Sequence, residues 1–307
     1  MDRIHQLEVF VAVAEEQGFA AAARRLQISP PAVTRMVAAL EDTLGVQLLI
    51  RTTRSVRVTD AGRQYLGDAK QILESVQAAD DAVSGINAAP RGKINITAPV
   101  LFGRKHVMPV LVDYLNAYSD TEVETLFVDR VVNLVEEGLD VGIRIGGLVD
   151  SSLRAIHVGE VRSTLIASPD YLALTGHPRS PDDLKNHTVI TSTAGEFSLS
   201  WRFLEDTERL VRVNPRLMSS TNDAAIEAAV LGFGIARVIS YQVADELKSG
   251  ALVRLMEAYE PAATPVHIVH REGRYATFRI RTLIDLLAER LRQTLDYEEG
   301  RRPHRSM

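Results

Sequence analysis

The sequence predicts a two-part chain of the α/β class: a small all-α head with a β-wing, a long linker helix, and a body of two α/β lobes. Three observations carry this reading. Helical periodicity fills the first 45 residues and then gives way to two short β-prone runs. A 4-3 apolar seam follows, running unbroken from Tyr65 to Ile86. Beyond residue 92, strand-like and helix-like segments alternate, the order that builds an open sheet covered by helices.

Each element follows from its residues. Ile4, Leu7, Phe10, Val11 and Ala14 recur at helical spacing, Gln17-Gly18-Phe19 interrupts them, and Ala20–Leu26 resumes the pattern. Ser29 before Pro30 and Pro31 combines a preferred N-cap with residues suited to a first helical turn. Val33, Val37, Leu40 and Leu44 mark the buried face of that third helix, and Gly45 stops it. Thr34, Arg35, Ala38, Glu41 and Asp42 are left on the outer face. Val46–Arg51 and Ser55–Thr59 flank Thr52-Thr53-Arg54 as a hairpin with a basic tip, so residues 1–58 read as a winged helix-turn-helix. Residues 59–89 read as the linker helix, opened by Thr59 as N-cap. Tyr65, Ala69, Ile72, Val76, Ala79, Val83 and Ile86 form the seam of a two-stranded coiled coil, which predicts pairing of two chains. About 28 residues would make a rod of roughly 42 Å. The alternative is a helix packed on its own domain.

Ala88-Ala89-Pro90-Arg91-Gly92 ends the helix. The body, 90–300, begins with strand Lys93–Thr97, helix Val107–Leu115, strand Glu122–Val128, a short helix at Val131–Glu137 and strand Leu139–Ile145. The rhythm returns with Ser163–Ala167, Asp170–Ala173, Thr188–Ser192, Arg216–Ser220, Asn222–Leu231, Gly234–Val238 and Tyr241–Lys248. Strand Val266–His270 and helix Tyr275–Leu295 bring the chain back. Lobe I therefore takes residues 91–163 and 266–297, lobe II takes 164–265, and 301–307 forms a tail. Two such lobes leave a cleft where strand ends and helix N-termini converge.

Composition narrows the function. With 46% hydrophobic and 24% charged residues, the chain buries an ordinary globular core, and without cysteine it has neither disulfides nor thiolate chemistry. The first residues are too charged for a signal peptide and no apolar run reaches about 20 residues, so a cytoplasmic protein without membrane contact is expected. The net charge is −5, yet residues 21–65 set seven arginines against three acids, a local +4 that leaves −9 elsewhere. Such a segment suits a polyanionic partner.

These residues also resemble a known family. Phe19-Ala-Ala-Ala-Ala-Arg-Arg-Leu26, Ile28-Ser-Pro-Pro-Ala-Val-Thr-Arg35, Leu40-Glu-Asp-Thr-Leu-Gly45, and Leu49-Ile-Arg-Thr-Thr-Arg54 followed by Val58-Thr-Asp-Ala-Gly62 are similar to the N-terminal domain of bacterial LysR-type transcriptional regulators. Asp129–Gly138, Asp140–Gly146, Ala167–Leu172 and Pro181–Leu184 resemble the effector domain of one subgroup, a two-lobed type 2 periplasmic-binding-protein-like fold. The resemblance implies double-stranded promoter DNA read as an interrupted palindrome, a small-molecule effector, no cofactor, nucleoid association and a homotetramer, with room for contact with RNA polymerase. The seam itself establishes only pairing.

On DNA, the resemblance directs Ser29, Pro30, Pro31, Thr34 and Arg35 to the major groove and Arg51, Thr53, Arg54 and Arg57 to phosphates or the minor groove. Relatives often carry glutamine where Pro30 stands, which removes one base-reading amide. For the effector it points to Pro99, Val100, Leu101, Phe102 and Gly103, to Arg144 and Gly146, to Thr191 and Ser192, and to Thr221 and Asn222. Hydroxyls at helix starts beside an arginine suit an anionic ligand, and Phe102, Trp201 and Phe233 offer an apolar wall for an aromatic acid. The alternative is an α/β solute-binding or enzymatic protein whose N-terminal segment serves association only. Enzymatic motifs are missing: no phosphate-binding loop, nucleophile elbow or His-Glu-x-x-His occurs. His267 and His270 stand three apart on a strand, a poor metal pair, and no metal site is expected.

Overall fold

The computed structural model describes residues 2–51, 56–83, 89–148, 153–195, 198–205, 207–271 and 277–298; for 51, 71, 74, 75, 77–83 and 296–298 it describes the backbone alone. Two compact units result, Met1–Ala89 with Gly273–Phe278, and Pro90–Glu272 with Arg279–Met307. In the head, α1 (Arg3–Glu16), α2 (Phe19–Arg25) and α3 (Pro30–Leu44) precede β1 (Leu49–Arg51), β2 (Val56–Val58) and α4 (Asp60–Val83). The wing is antiparallel, with Leu49 opposite Val58 and Arg51 opposite Val56.

Local signals set the helix ends. Gly45 takes the left-handed conformation, φ +66°, that stops α3. Ser29 occupies the N-cap with extended backbone, and its carbonyl accepts from Ala32 N at 2.9 Å and Val33 N at 3.2 Å; its hydroxyl makes no capping bond. Thr59 does cap, its Oγ1 accepting from Gly62 N at 2.9 Å. Phe10, Val33, Val37, Leu40, Leu48 and Ala69 close one core.

Glu41, assigned above to the outer face, folds back instead. Its Oε1 accepts from Leu48 N at 2.7 Å and Leu49 N at 3.0 Å, binding the end of α3 to the start of the wing. Two charge-assisted bonds to part-buried amides are lost together in Glu41→Ala, with an expected cost of about 1–3 kcal/mol to the head. Urea unfolding of the full chain, followed by far-UV circular dichroism, measures it.

The first residues of the predicted seam pack against their own head, Tyr65 half-buried and Ala69 buried. Ala69 belongs to the head core, and Tyr65 stacks 5.8 Å from Phe10 while its hydroxyl accepts from Arg3 Nη2 at 3.1 Å. Lys70 and Glu15, 2.6 Å apart, add an ion pair between α4 and α1. The period of the seam marks a buried face; α1 covers its first part. Ile72 is exposed and Val76 half-buried. Ala79 and Val83 fall where the backbone alone is described, and Ile86 lies outside the described residues.

The body runs β3 (Gly92–Ala98), α5 (Val100–Phe102), a π-turn segment Gly103–Val107, α6 (Met108–Ala117), β4 (Thr121–Phe127), β5 (Val141–Ile145) and β6 (Arg154–Val161). It continues through β7 (Ser163–Ala167), α7 (Pro169–Thr175), β8 (Val189–Ser192), β9 (Ser200–Leu204), β10 (Glu208–Arg212), β11 (Pro215–Ser219), α8 (Asn222–Val230) and β12 (Ile235–Ile239). A 3₁₀ turn Ser240–Val243, α9 (Ala244–Ser249), β13 (Val253–Leu255), β14 (Thr264–His270) and α10 (Phe278–Glu298) complete it. One five-stranded sheet is ordered β4-β3-β5-β14-β6 and the other β11-β8-β12-β7-β13. The chain crosses between them at Arg162 and returns over 256–263. Strands β6 and β13 and the β9–β10 hairpin escape the sequence reading, and Val131–Glu137 forms a turn rather than a helix. Leu134, with no exposed surface, plugs that turn into a core with Val132, Leu139 and Val269.

The two lobes share one apolar core at their base. Phe102 meets Tyr241 edge-on at 5.2 Å and His106 at 4.8 Å, while Lys105 Nζ reaches Asp245 at 3.1 Å. Burial, aided by Lys105, pulls the His106 imidazole down to about 4. Because this value lies below that of the unfolded chain, near 6.5, neutral His106 stabilises the body at pH 7. That contribution, roughly 2–3 kcal/mol, fades as pH falls from 6.5 towards 4. In His106→Gln the decline of the urea midpoint between pH 7 and 4.5 should shrink accordingly.

Candidate functional site

Exposed arginines stand on three elements of the head, Arg24 on α2, Arg35 on α3 and Arg57 on β2. Ser29, Pro30, Pro31 and Arg35 are exposed at the start of α3 and Thr34 is half-buried. Arg35, Arg24 and Arg57 form no ion pair among the described residues. Arg25 instead bonds Glu15 at 2.8 Å, and Arg63 is held by Asp60 and by the Val58 carbonyl at 3.1 Å. The local charge excess therefore overstates the cations free for phosphate. Arg57 lies exposed on β2. Thr53 and Arg54 lie outside the described residues, as does the side chain of Arg51.

In the body, a cleft of about 370 Å³ opens between the lobes. Of the expected residues, Pro99 and Gly146 line it from lobe I, and Thr191, Ser192, Trp201 and Asn222 from lobe II. The others do not join them. Leu101, Phe102 and Gly103 are buried in lobe I; a Cβ on Gly103 would lie 2.7 Å from the Phe127 ring, so the helix start packs as core instead of facing the cleft. Val100 is exposed and its N–H donates to Asp129 at 3.1 Å. Arg144 turns away to donate to the Val132 carbonyl at 2.7 Å, bracing the turn that replaced the predicted helix. Thr221 occupies the N-cap of α8, where its hydroxyl bonds Asp223 and helps hold that carboxyl low. Phe233 stands off the cleft, partly exposed under Arg216 at 5.6 Å.

The structure adds residues that the motif comparison missed: Asp129, Arg237, Tyr241 and Gln242 also line the cleft. Arg237 is the most consequential. It stands on the central strand β12, its guanidinium 5.2 Å above the ring of Trp201, which is 1% exposed. Among the described residues it has no carboxylate partner. Burial, with Arg202 nearby, pulls it down to about 10. A charged residue inside the apolar run Ile235-Ala-Arg-Val-Ile239 was its only trace in the sequence. Asp129, just past β4, is pushed up by burial, against the opposing hydrogen bond from Val100 N–H. No group of three or more potential metal ligands occurs among the described residues. No described helix is long and apolar enough to cross a membrane.

A helix-turn-helix head followed by a cleft-bearing body is the arrangement of a DNA-binding regulator with an effector-binding domain. Residues 4–63 match the model of the bacterial regulatory helix-turn-helix protein, lysR family, and 87–292 match the LysR substrate binding domain. The chain is 32% identical to the HTH-type transcriptional regulator PtxR of Pseudomonas aeruginosa, over 98% of this chain and 95% of that one. It is 30% identical to CrgA of Neisseria meningitidis serogroup C, over 94% and 97%. The solved structure of CrgA, a LysR-type transcriptional regulator from Neisseria meningitidis, superposes with a TM-score of 0.62 at 29% identity, covering 94% of this chain and 98% of CrgA. The chain belongs to the LysR family of transcriptional regulators. That membership sets aside the enzymatic and solute-binding alternative.

Proposed function

We propose that paired heads of this regulator bind an interrupted palindrome in promoter DNA, with half-sites spaced by whole helical turns, and that a small anionic effector in the cleft alters how the heads engage it. Ser29, Pro30, Pro31, Thr34 and Arg35 face the major groove, and the wing arginines orient the complex on phosphates. Pairing runs through the part of α4 beyond the head core, from Ile72 and Val76 through Ala79 and Val83 towards Ile86, and two pairs make a tetramer. The chain acts in the cytoplasm on the nucleoid, within reach of RNA polymerase.

One observation carries the effector class: Arg237, desolvated and without a carboxylate partner among the described residues, stacked on Trp201 in the cleft. An anion that enters neutralises this charge, and the indole beneath holds the guanidinium in place. The test couples two measurements. Genomic fragments competed with bulk DNA at physiological salt should yield a few interrupted palindromes. Trp201, the single tryptophan, should change fluorescence with the acids that shift operator affinity. Uniform recovery of fragments with and without such acids would overturn the reading.

A further inference from the structure

Two opposite charges in the same cleft stand unneutralised. Arg237 belongs to lobe II and Asp129 to lobe I; both line the cleft, and no ion pair joins them or links either to another described residue. Each is partly removed from water, and an unpaired charge held this way costs free energy until a ligand of opposite sign compensates it. A simple anion would pair with Arg237 but leave the Asp129 carboxylate unmatched in the same enclosure. A simple cation would do the converse.

Resting on the effector reading above, we propose that the cleft takes an amphoteric small molecule: its anionic group sits at Arg237 over Trp201 and its cationic nitrogen reaches Asp129. Such a ligand meets both protein charges while carrying no net charge itself. The surroundings agree. Asp129 spends one oxygen on Val100 N–H, which fixes the carboxylate while leaving further acceptor capacity. Asp223, at the start of α8, adds negative potential at Asp129, with Arg104 close enough to Asp223 to temper it. Gly195 of lobe II approaches the Asp129 carbonyl, its ideal Cβ position lying 3.5 Å away, so the loop after β8 meets lobe I beside this carboxylate. A molecule spanning Arg237 and Asp129 therefore spans the two lobes.

The experiment uses the full-length protein and a ladder of linear ω-amino acids, from 3-aminopropanoate to 8-aminooctanoate, with the alkanoate and alkylamine matching each length. Trp201 fluorescence and thermal unfolding report binding. The expected result is that at the matching chain length the amino acid binds about tenfold or more tighter than either single-charge analogue. Asp129→Asn should erase the advantage over the alkanoate, and Arg237→Gln the advantage over the alkylamine. If Arg237→Gln fails to fold, Arg237→Lys retains a point charge and should preserve the preference at weaker affinity. Alkanoates binding as tightly as amino acids, an unchanged ratio in Asp129→Asn, or no binding across the ladder each overturns the proposal. Operator binding measured on the same samples keeps the two readings apart: intact specific DNA binding beside a failed ladder removes the amphoteric ligand and leaves the regulator.

Discussion

Gly62→Ala is expected to lower the unfolding midpoint of the head by several degrees, while Gly67→Ala, five residues along the same helix, raises it slightly. A Cβ on Gly62 would lie 2.2 Å from the Leu48 carbonyl oxygen and 2.8 Å from Val58 Cγ1. The obstacle is backbone, and it is held in place. Leu48 O accepts from Thr59 N at 2.9 Å, Leu48 N donates to Glu41, and the Leu48 side chain is buried. The added methyl must push α4 off the wing. Overpacking of this kind costs about 1–3 kcal/mol and more where backbone cannot retreat, and each kcal/mol moves the midpoint of so small a unit by roughly 4–8 °C. At Gly67 nothing lies within 4 Å of an added Cβ, so alanine gains helix propensity worth about 0.5–1 kcal/mol. Calorimetry of the full chain measures both, and equal midpoints for the two variants would contradict the packing argument. The body has its own core, so its transition should stay where it is.

Arg35→Ala should lower affinity for the operator by roughly tenfold to a hundredfold while leaving bulk-DNA binding almost unchanged. Arg35 is exposed on α3 and forms no ion pair among the described residues, so its guanidinium is available for a bidentate bond to a guanine edge, worth about 1–3 kcal/mol. Arg57 on the wing makes the contrasting case. Arg57→Ala should weaken all DNA alike and reduce the salt slope by about one, the mark of a lost phosphate contact. Titrations of operator and scrambled duplexes across a salt series separate the two. Equal loss of discrimination in both variants would remove the recognition role from Arg35.

What could be read in advance followed the range of the interactions responsible. Pro30-Pro31 and Gly45 bound α3 through backbone geometry within a few residues, and Thr59 caps α4 in the same local way. Strand β6 has an irregular burial pattern and β13 spans three residues, so neither produces a clean alternation. The β9–β10 hairpin alternates, but its short strands lie among polar residues and become strands by pairing with each other. The turn at 131–138 carried a helical pattern because Val131, Leu134 and Val135 stand at i, i+3 and i+4, yet of the three only Leu134 is buried, and Val131 and Val135 are exposed.

The sequence by itself determined the order of the modules, the third helix with Arg35 on its outer side, and the family. Those rest on caps, periods and motifs complete within short stretches of chain. The tertiary structure alone decided which surface each side chain meets. Tyr65 and Ala69 sit at proper seam positions, yet α1 of their own head covers them, because a period marks a buried face without naming its cover. Arg144 lay in a recognisable motif and Arg237 in none. Sheet order and the two crossings between lobes nevertheless bond the first to Val132 and bring the second to the cleft beside Trp201. A charge acquires its role from the residues that desolvate it, and in this chain those residues are assembled from distant segments.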